Sequence, residues 1–127
     1  MVQLAEIMTA DVFTVSPDSP VAEAAAAMVK GRFGSAVVME GQTLVGIFSE
    51  RDVLRAAASG RDLTVSPVSR WMTHDPETVE PGTDSDRAAE IMLSQGFRHL
   101  PIVEGTTLVG IVSLRDLVSV RVRRRRS

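Results

Sequence analysis

The sequence predicts a mixed α/β (α+β) protein made of two similar β-α-β-β-α halves, and two observations predict this fold class. The first is an internal duplication: a shift of 64 residues lays residues 7–54 over residues 71–118 without a gap, with about 20 of the 48 positions identical. The second is that apolar runs, glycine-containing turns and helix-start residues follow the same order in both copies. The duplication therefore indicates a pair of structural repeats.

The first repeat is expected to cover residues 1–62, including the N-terminal segment, and the second repeat residues 63–120. A polar connection over residues 59–69 joins them, and a basic, disordered tail is expected over residues 121–127. A half of this size covers its own apolar faces poorly. We therefore expect the two halves to pack face to face around a pseudo-twofold axis and to form two clefts.

Each copy is predicted to begin with a short extended piece, at residues 12–15 and 76–79, followed by a helix. In the first copy Asp18 or Ser19 precedes the helix and Pro20 takes its first position, while Thr83 with Asp86 opens the helix of the second copy. The apolar stripes of the two helices contain Val21, Ala24, Ala25, Met28 and Val29 in the first, and Ala88, Ala89, Met92 and Leu93 in the second.

A hairpin is predicted after each of these helices, because two apolar runs flank a short turn that contains glycine. The predicted strands are Ala36 to Met39 with Leu44 to Phe48, and Leu100 to Val103 with Leu108 to Val112. A second helix then follows in each copy, over residues 50–58 and 114–121.

The last helix of each copy starts with the same motif, a serine followed three residues later by an aspartate. Ser49 with Asp52, and Ser113 with Asp116, match a capping box in which aspartate replaces glutamate. The N-terminus of a helix also attracts phosphate, and an ionised carboxylate accepts hydrogen bonds from the two hydroxyls of a ribose. The motif therefore suits either helix capping or the binding of a nucleoside phosphate.

Composition excludes several classes of site. The chain of 127 residues has no cysteine, which excludes thiol catalysis, disulfides and cysteine-ligated zinc. It has only two histidines, His74 and His99, so no histidine-rich metal site is expected. No paired acid and base or activated nucleophile is visible, so we expect no enzyme and no catalytic cofactor. No apolar run is long enough to span a membrane, and a cytoplasmic location is expected. Few aromatic residues disfavour nucleic acid as a partner.

Several motifs resemble those of a tandem pair of cystathionine β-synthase (CBS) domains, also called a Bateman module, and the likeness covers residues 7–118. These motifs are Ile7-Met8-Thr9 with Thr14-Val15, Gly46 to Asp52, Met72-Thr73 with Thr78-Val79, Arg98 to Val103, and Gly110 to Asp116.

The resemblance implies regulatory binding of an adenosyl ligand in the clefts: AMP, ADP, ATP, NAD(H) or S-adenosylmethionine, with AMP as the first choice. It implies that the aspartates hold the ribose and that the serines lie near the phosphate. It also implies that the backbone around Thr14-Val15, around Thr78-Val79 and in the Leu100-Pro101 strand contacts adenine. It also implies a homodimer and a regulated partner protein that the sequence does not identify. The ligand-binding residues expected on this basis are Thr14, Val15, Ser49, Arg51, Asp52, Thr78, Val79, Arg98, His99, Leu100, Pro101, Ser113, Arg115 and Asp116.

The two clefts are not expected to be equal. The second repeat has Arg98 and His99 where the first has Gly34 and Ser35, and the first repeat has Glu50 in the first turn of its last helix. Because arginine offers a permanent charge suited to phosphate and glutamate repels it, we expect the better site at Ser113 and Asp116.

Two other functions stay open at this point. The chain could be a structural or dimerisation module with empty clefts, or a nucleotide-controlled regulator that contacts nucleic acid through its arginine tail. Individual residues are open as well. Arg51 and Arg115 either reach a phosphate or lie solvated on a helix face, and His99 is either structural or directed at the ligand.

Overall fold

A computed structural model describes residues 2–126, except for the side chains of residues 124 and 126. Met1 and Ser127 lie outside the described residues. The helices are α1 (Val21–Gly31), α2 (Glu50–Ala58), α3 (Ser85–Gln95) and α4 (Leu114–Arg126). The strands are β1 (Thr14–Val15), β2 (Ser35–Glu40), β3 (Thr43–Ser49), β4 (Thr73–His74), β5 (His99–Glu104) and β6 (Thr107–Ser113). The predicted mixed α/β class is confirmed.

The chain divides into two compact units. Residues 13–76 form one unit from a single stretch of chain, called here the continuous unit. The other, called the two-segment unit, combines the N-terminal segment up to Val12 with the chain from Glu77 onward. The repeat boundary between residues 62 and 63 stays a prediction about sequence similarity, and the compact units do not follow it.

The continuous unit contains a four-stranded sheet in the order β1-β2-β3-β4. Strand β1 runs parallel to β2, and the predicted hairpin of β2 and β3 is present, with Glu40 opposite Thr43 at its turn. Strand β4 pairs with β3, where Gly46 faces His74. A short strand from the N-terminal part of the second repeat thus completes the sheet of the first.

The two-segment unit repeats this pattern with fewer hydrogen bonds. Strands β5 and β6 form a hairpin with Glu104 opposite Thr107. The outer strands are reduced to isolated bridges, in which Val79 pairs with Ile102 and Thr9 pairs with Ile111. Thr9 therefore pairs with β6 in the same way as Thr73 of β4 pairs with β3.

A methionine packs against a strand glycine in both units, and this contact explains why both residue types are repeated. A Cβ atom added to Gly46 would lie 2.5 Å from the sulfur of Met72, and one added to Gly110 would lie 2.5 Å from the sulfur of Met8. Any side chain at Gly46 would displace the segment around Met72, and any side chain at Gly110 would displace the segment around Met8. Close approach of these segments therefore requires glycine.

Each unit has its own apolar core beneath its sheet. In the continuous unit it comprises Val21, Ala24, Met28, Val38, Phe48, Ala56, Val68 and Met72. In the two-segment unit it comprises Leu4, Val79, Ala88, Met92, Leu100, Ile102, Val112 and Leu117. The predicted stripes extend too far, because Val29 and Leu93 are exposed. Each lies one residue beyond the last buried methionine, and the helix turns it to solvent.

The helix starts also differ from prediction. Helix α1 begins at Val21 with Pro20 as its N-cap, and helix α3 has Asp84 as its N-cap; neither start has a side-chain capping bond. Helix α4 continues to Arg126, beyond the expected end at residue 121. Disorder of the tail stays a prediction. Arginine and valine in these turns include no helix breaker, and arginine has a high helix propensity.

Candidate functional site

The first capping box joins β3 to α2. Ser49 has extended backbone angles and is the N-cap, so its peptide N–H is free to donate to Oδ2 of Asp52 at 2.9 Å. In return the N–H of Asp52 donates to Oγ of Ser49 at 3.4 Å, and that hydroxyl also lies 3.1 Å from Oδ2. Asp52 is only 5% exposed. The sequence motif therefore produces the predicted reciprocal cap.

The second capping box joins β6 to α4 in the same way. The N–H of Ser113 donates to Oδ2 of Asp116 at 2.9 Å, and the N–H of Asp116 donates to Oγ of Ser113 at 3.1 Å. The backbone of Arg98 also contributes, since its carbonyl accepts from the N–H of Leu114 at 2.8 Å. Asp116 is half-buried, so its carboxylate is more accessible than that of Asp52.

The two carboxylates differ at Oδ1. In the continuous unit, Oδ1 of Asp52 accepts from Nη1 of Arg55 at 3.0 Å, which forms an ion pair within α2. In the two-segment unit the residue at the position of Arg55 is Ser119. Within the part of the chain that the structure describes, Oδ1 of Asp116 accepts no hydrogen bond. One motif thus gives a fully engaged carboxylate and one with an open acceptor.

Arg55 itself is held from a second direction. Its guanidinium lies 5.9 Å from the centre of the Trp71 ring, a cation–π distance, and Nε1 of Trp71 donates to Oγ of Ser66 at 3.0 Å. These residues were absent from the predicted site. A comparison of the two repeats at the third position after each aspartate would have found the difference between Arg55 and Ser119.

The residues predicted to contact adenine lie on an outer extended segment of each unit and on strand β5. Thr14 and Val15 pair with Val37 and Val38 in the continuous unit. In the two-segment unit the N–H of Val79 donates to the carbonyl of Pro101 at 3.2 Å. If adenine is contacted here, the backbone of Val79 and the backbone of Pro101 lie next to each other and could both take part.

Side-chain exposure sorts the remaining predicted residues. Leu100 and Pro101 are fully buried, and Leu100 belongs to the core of the two-segment unit, so these side chains serve packing. Arg51, Arg98 and Arg115 are exposed, Thr78 and His99 are half-buried, and His99 stands opposite Ser113 in the hairpin register. The two-segment unit therefore brings together, in one compact body, nine of the predicted residues: Thr78, Val79, Arg98, His99, Leu100, Pro101, Ser113, Arg115 and Asp116. The continuous unit contains the other five.

Other classes of site were sought among the described residues. No cluster of three or more histidine, cysteine, aspartate or glutamate side chains there could hold a metal ion. No described helix has the length and apolar character needed to cross a bilayer. Two capped helix starts with unequal carboxylates are thus the main candidates for function.

Comparison with known proteins assigns the family. The CBS-domain family model matches the chain twice, at residues 4–59 and 68–123. The chain belongs to the CBS-domain family. It contains two CBS domains in tandem, an arrangement that constitutes a regulatory module. The Ser-x-Arg-Asp motifs at the two helix starts lie within the two matched ranges.

Known CBS-domain proteins resemble this chain in sequence and in length. It is 38% identical over 118 residues to the CBS domain-containing protein YhcV of Bacillus subtilis, a match covering 92% of this chain and 84% of that protein. A solved CBS-domain containing protein from Agrobacterium tumefaciens superposes with a TM-score of 0.88 at 32% identity, covering 94% of this chain and 99% of the other. These relatives are stand-alone CBS-domain proteins.

One solved structure of this fold is a ligand complex. CBSX2 in complex with AMP superposes with a TM-score of 0.81 and covers 98% of this chain and 99% of its own. Its sequence identity is 24%, so the likeness demonstrates a common fold.

Proposed function

We propose that this CBS pair is a regulatory module that binds an adenine nucleotide, with AMP as ligand and Asp116 as the residue that holds the ribose. The observation that favours this assignment is the state of the Asp116 carboxylate. Its Oδ2 is fixed by the N–H of Ser113 at 2.9 Å, while its Oδ1 accepts no bond from the described residues. The group is oriented before the ligand arrives and retains an acceptor for it.

The ribose of a nucleotide suits such an acceptor. Its 2′- and 3′-hydroxyls are adjacent donors, and hydrogen bonds to an ionised acceptor stabilise more than those between neutral groups. In the two-segment unit the positive end of the α4 helix dipole attracts phosphate to the start of this helix. The exposed side chains of Arg98 and Arg115 add positive charge, since Arg115 lies in the first turn of α4 and the carbonyl of Arg98 accepts from the N–H of Leu114. The proposed ligand therefore finds an acceptor for its sugar and donors for its phosphate.

AMP is the first choice among adenosyl ligands because a protein of the same fold has been solved with it. Binding of AMP would regulate a partner only if two states of the module differ in affinity for the nucleotide. ADP, ATP, NAD(H) and S-adenosylmethionine form the panel against which AMP should be compared.

Calorimetric titration with AMP and with 2′,3′-dideoxy-AMP tests the assignment. The wild-type protein should bind AMP about 100-fold more tightly than the dideoxy analogue, because two hydrogen bonds to a carboxylate are lost. Asp116→Ala should weaken AMP binding to the level of the analogue and abolish the discrimination. Asp86→Ala, an exposed carboxylate in the first turn of α3 with an ion pair to Arg121, is the charge-matched control and should leave both affinities unchanged. Equal affinity of the wild type for both compounds would contradict the assignment.

A second role, self-association, is favoured by exposed apolar side chains at equivalent positions of the two units. Val29 on α1 and Leu54 on α2 are 80% and 70% exposed, and their counterparts Leu93 and Val118 are 74% and 53% exposed. Large exposed aliphatic groups repeated on paired helices are typical of a contact surface. We therefore propose a homodimer. Light scattering of Leu54→Asp together with Val118→Asp should show a monomer, and an unchanged dimer would contradict a contact through these helices.

A further inference from the structure

We propose that Arg55 closes the carboxylate of the first repeat to ribose, so that adenine nucleotide is held by Asp116 and not by Asp52. This inference rests on the proposed function and concerns the residue that makes the two repeats unequal. It does not depend on Arg98, His99 or Glu50, the positions from which the sequence predicted unequal sites.

The first step concerns the acceptor atoms of Asp52. Oδ2 receives the N–H of Ser49 at 2.9 Å and faces its hydroxyl at 3.1 Å, while Oδ1 receives Nη1 of Arg55 at 3.0 Å. A ribose diol needs acceptor positions on the same carboxylate. It would have to displace Arg55 or share oxygens that already accept hydrogen bonds.

The second step concerns how Arg55 is retained. The Trp71 ring lies 5.9 Å from its guanidinium and is itself fixed by the bond from Nε1 to the buried Ser66. A side chain held between a carboxylate and a ring loses less freedom on pairing than an isolated surface arginine. The ion pair is therefore a standing competitor for the ligand.

The third step is the absence of these partners in the second repeat. The residues equivalent to Arg55, Trp71 and Ser66 are Ser119, Ile7 and Val2. Serine at position 119 is too short to provide the same fork of donors, and neither Ile7 nor Val2 has a polar side chain. One exchange, arginine for serine, thus distinguishes a closed carboxylate from an open one.

The test uses the full chain with AMP as probe, in an Asp116→Ala background that removes the stronger site. Addition of Arg55→Ser should tighten residual AMP binding up to about fivefold, the upper end of the effect expected for removal of one partly exposed ion pair. The gain should be absent with 2′,3′-dideoxy-AMP. Arg61→Ser is the matched control, since it removes the same charge from an exposed residue of the continuous unit, and it should give no gain.

A reciprocal variant keeps the test decisive if Arg55→Ser disturbs folding. Ser119→Arg in the otherwise wild-type chain should weaken AMP binding about fivefold by supplying Asp116 with a competitor. The proposal is overturned if the Asp116→Ala chain gains no affinity from Arg55→Ser while folded, or, should that variant unfold, if Ser119→Arg binds AMP as the wild type does.

These outcomes separate the two proposals. Wild-type binding of AMP without an effect of Arg55→Ser or Ser119→Arg overturns the role of Arg55 and leaves the function of Asp116 standing. Failure of the wild type to bind AMP overturns the function of Asp116. In that case a gain of binding in Arg55→Ser would still support closure by Arg55, and no gain would overturn it as well.

Discussion

The helix starts at Ser49 and Ser113 have the same motif and the same capping geometry, yet they leave their carboxylates in different states. Asp52 is buried and bonded at both oxygens, whereas Asp116 is half-buried with one oxygen open among the described residues. The residue that makes this difference stands three positions after the aspartate. A repeated motif therefore conserves the local fold, and its neighbours decide whether it can also bind a ligand.

The two cores differ in where their larger buried side chain lies. Phe48 and Val68 are fully buried in the continuous unit, and their equivalents in the two-segment unit are Val112 and Leu4, also fully buried. The larger side chain lies on the hairpin in one unit and on the preceding segment in the other. Since cores tolerate exchanges that preserve total volume, each unit can fill its interior with a different pair.

Truncation of the hairpin member of each pair should give the largest effects. Phe48→Ala should lower the free energy of unfolding by about 3–5 kcal/mol, and Val112→Ala by roughly 2 kcal/mol, because fewer buried carbon atoms are lost. Urea unfolding followed by circular dichroism measures both. The single tryptophan, Trp71, lies in the continuous unit, so its fluorescence should shift mainly in Phe48→Ala. A larger loss in Val112→Ala would show that the pairs are not exchangeable in this way.

Removal of the capping carboxylates should give a smaller effect, with the order opposite to that for ligand binding. Asp52→Ala loses the cap and the pair with Arg55 and should cost about 1–2 kcal/mol of stability, whereas Asp116→Ala should cost about 0.5–1 kcal/mol. The same urea experiment without nucleotide provides the measurement. If Asp116→Ala were the more destabilising change, the argument that Asp52 serves mainly structure would fail.

The smallest effect is expected for Asp62 and Thr64, a carboxylate and hydroxyl pair that is fully exposed. Its pKa can be compared with the buried and half-buried capping boxes as an example of such a pair in solvent. Oδ1 of Asp62 accepts from Oγ1 of Thr64 at 2.6 Å and from its N–H at 3.0 Å, and these bonds lower the pKa of Asp62 below its usual 3.8. Because the pKa is lowered in the folded protein, the bonds stabilise the fold at pH values above the usual pKa of the carboxyl group. This contribution is lost as the pH falls through the lowered pKa. In Thr64→Ala the pKa of Asp62 should rise toward its usual value in a carboxyl NMR titration. No rise would show that the backbone bond alone lowers it.

Much of the fold followed from the sequence because its determinants are local or repeated. The duplication, the hairpin turns at Gly41 and Gly105 and both serine caps were visible as spacing. The exposure of Val29 and Leu93 was missed, because the apolar spacing of a helix does not show how wide its buried face is. The pairing of Thr9 with Ile111 was missed for a different reason: nothing in the first twelve residues indicates a partner about a hundred positions away.

The candidate site was also predicted in part. The two Ser-x-x-Asp motifs and the family resemblance selected the helix starts, and the structure confirms that both serines and both aspartates form reciprocal caps. The closed state of Asp52 could not be derived from its own motif. It depends on Arg55 in the next turn of the helix and on the position of the Trp71 ring, which comes from a later segment of the chain.

The division of the chain into a continuous unit and a two-segment unit sets the order in which the protein can fold during translation. Residues 13–76 have all of their strands once position 76 has left the ribosome, so this unit can form early. The first dozen residues must wait for β6, the last strand to be synthesised, and until then Leu4 and Met8 have no core to enter. A nascent chain whose first 80 residues have emerged from the ribosome should therefore present a folded body with an apolar leading segment that is accessible to chaperones.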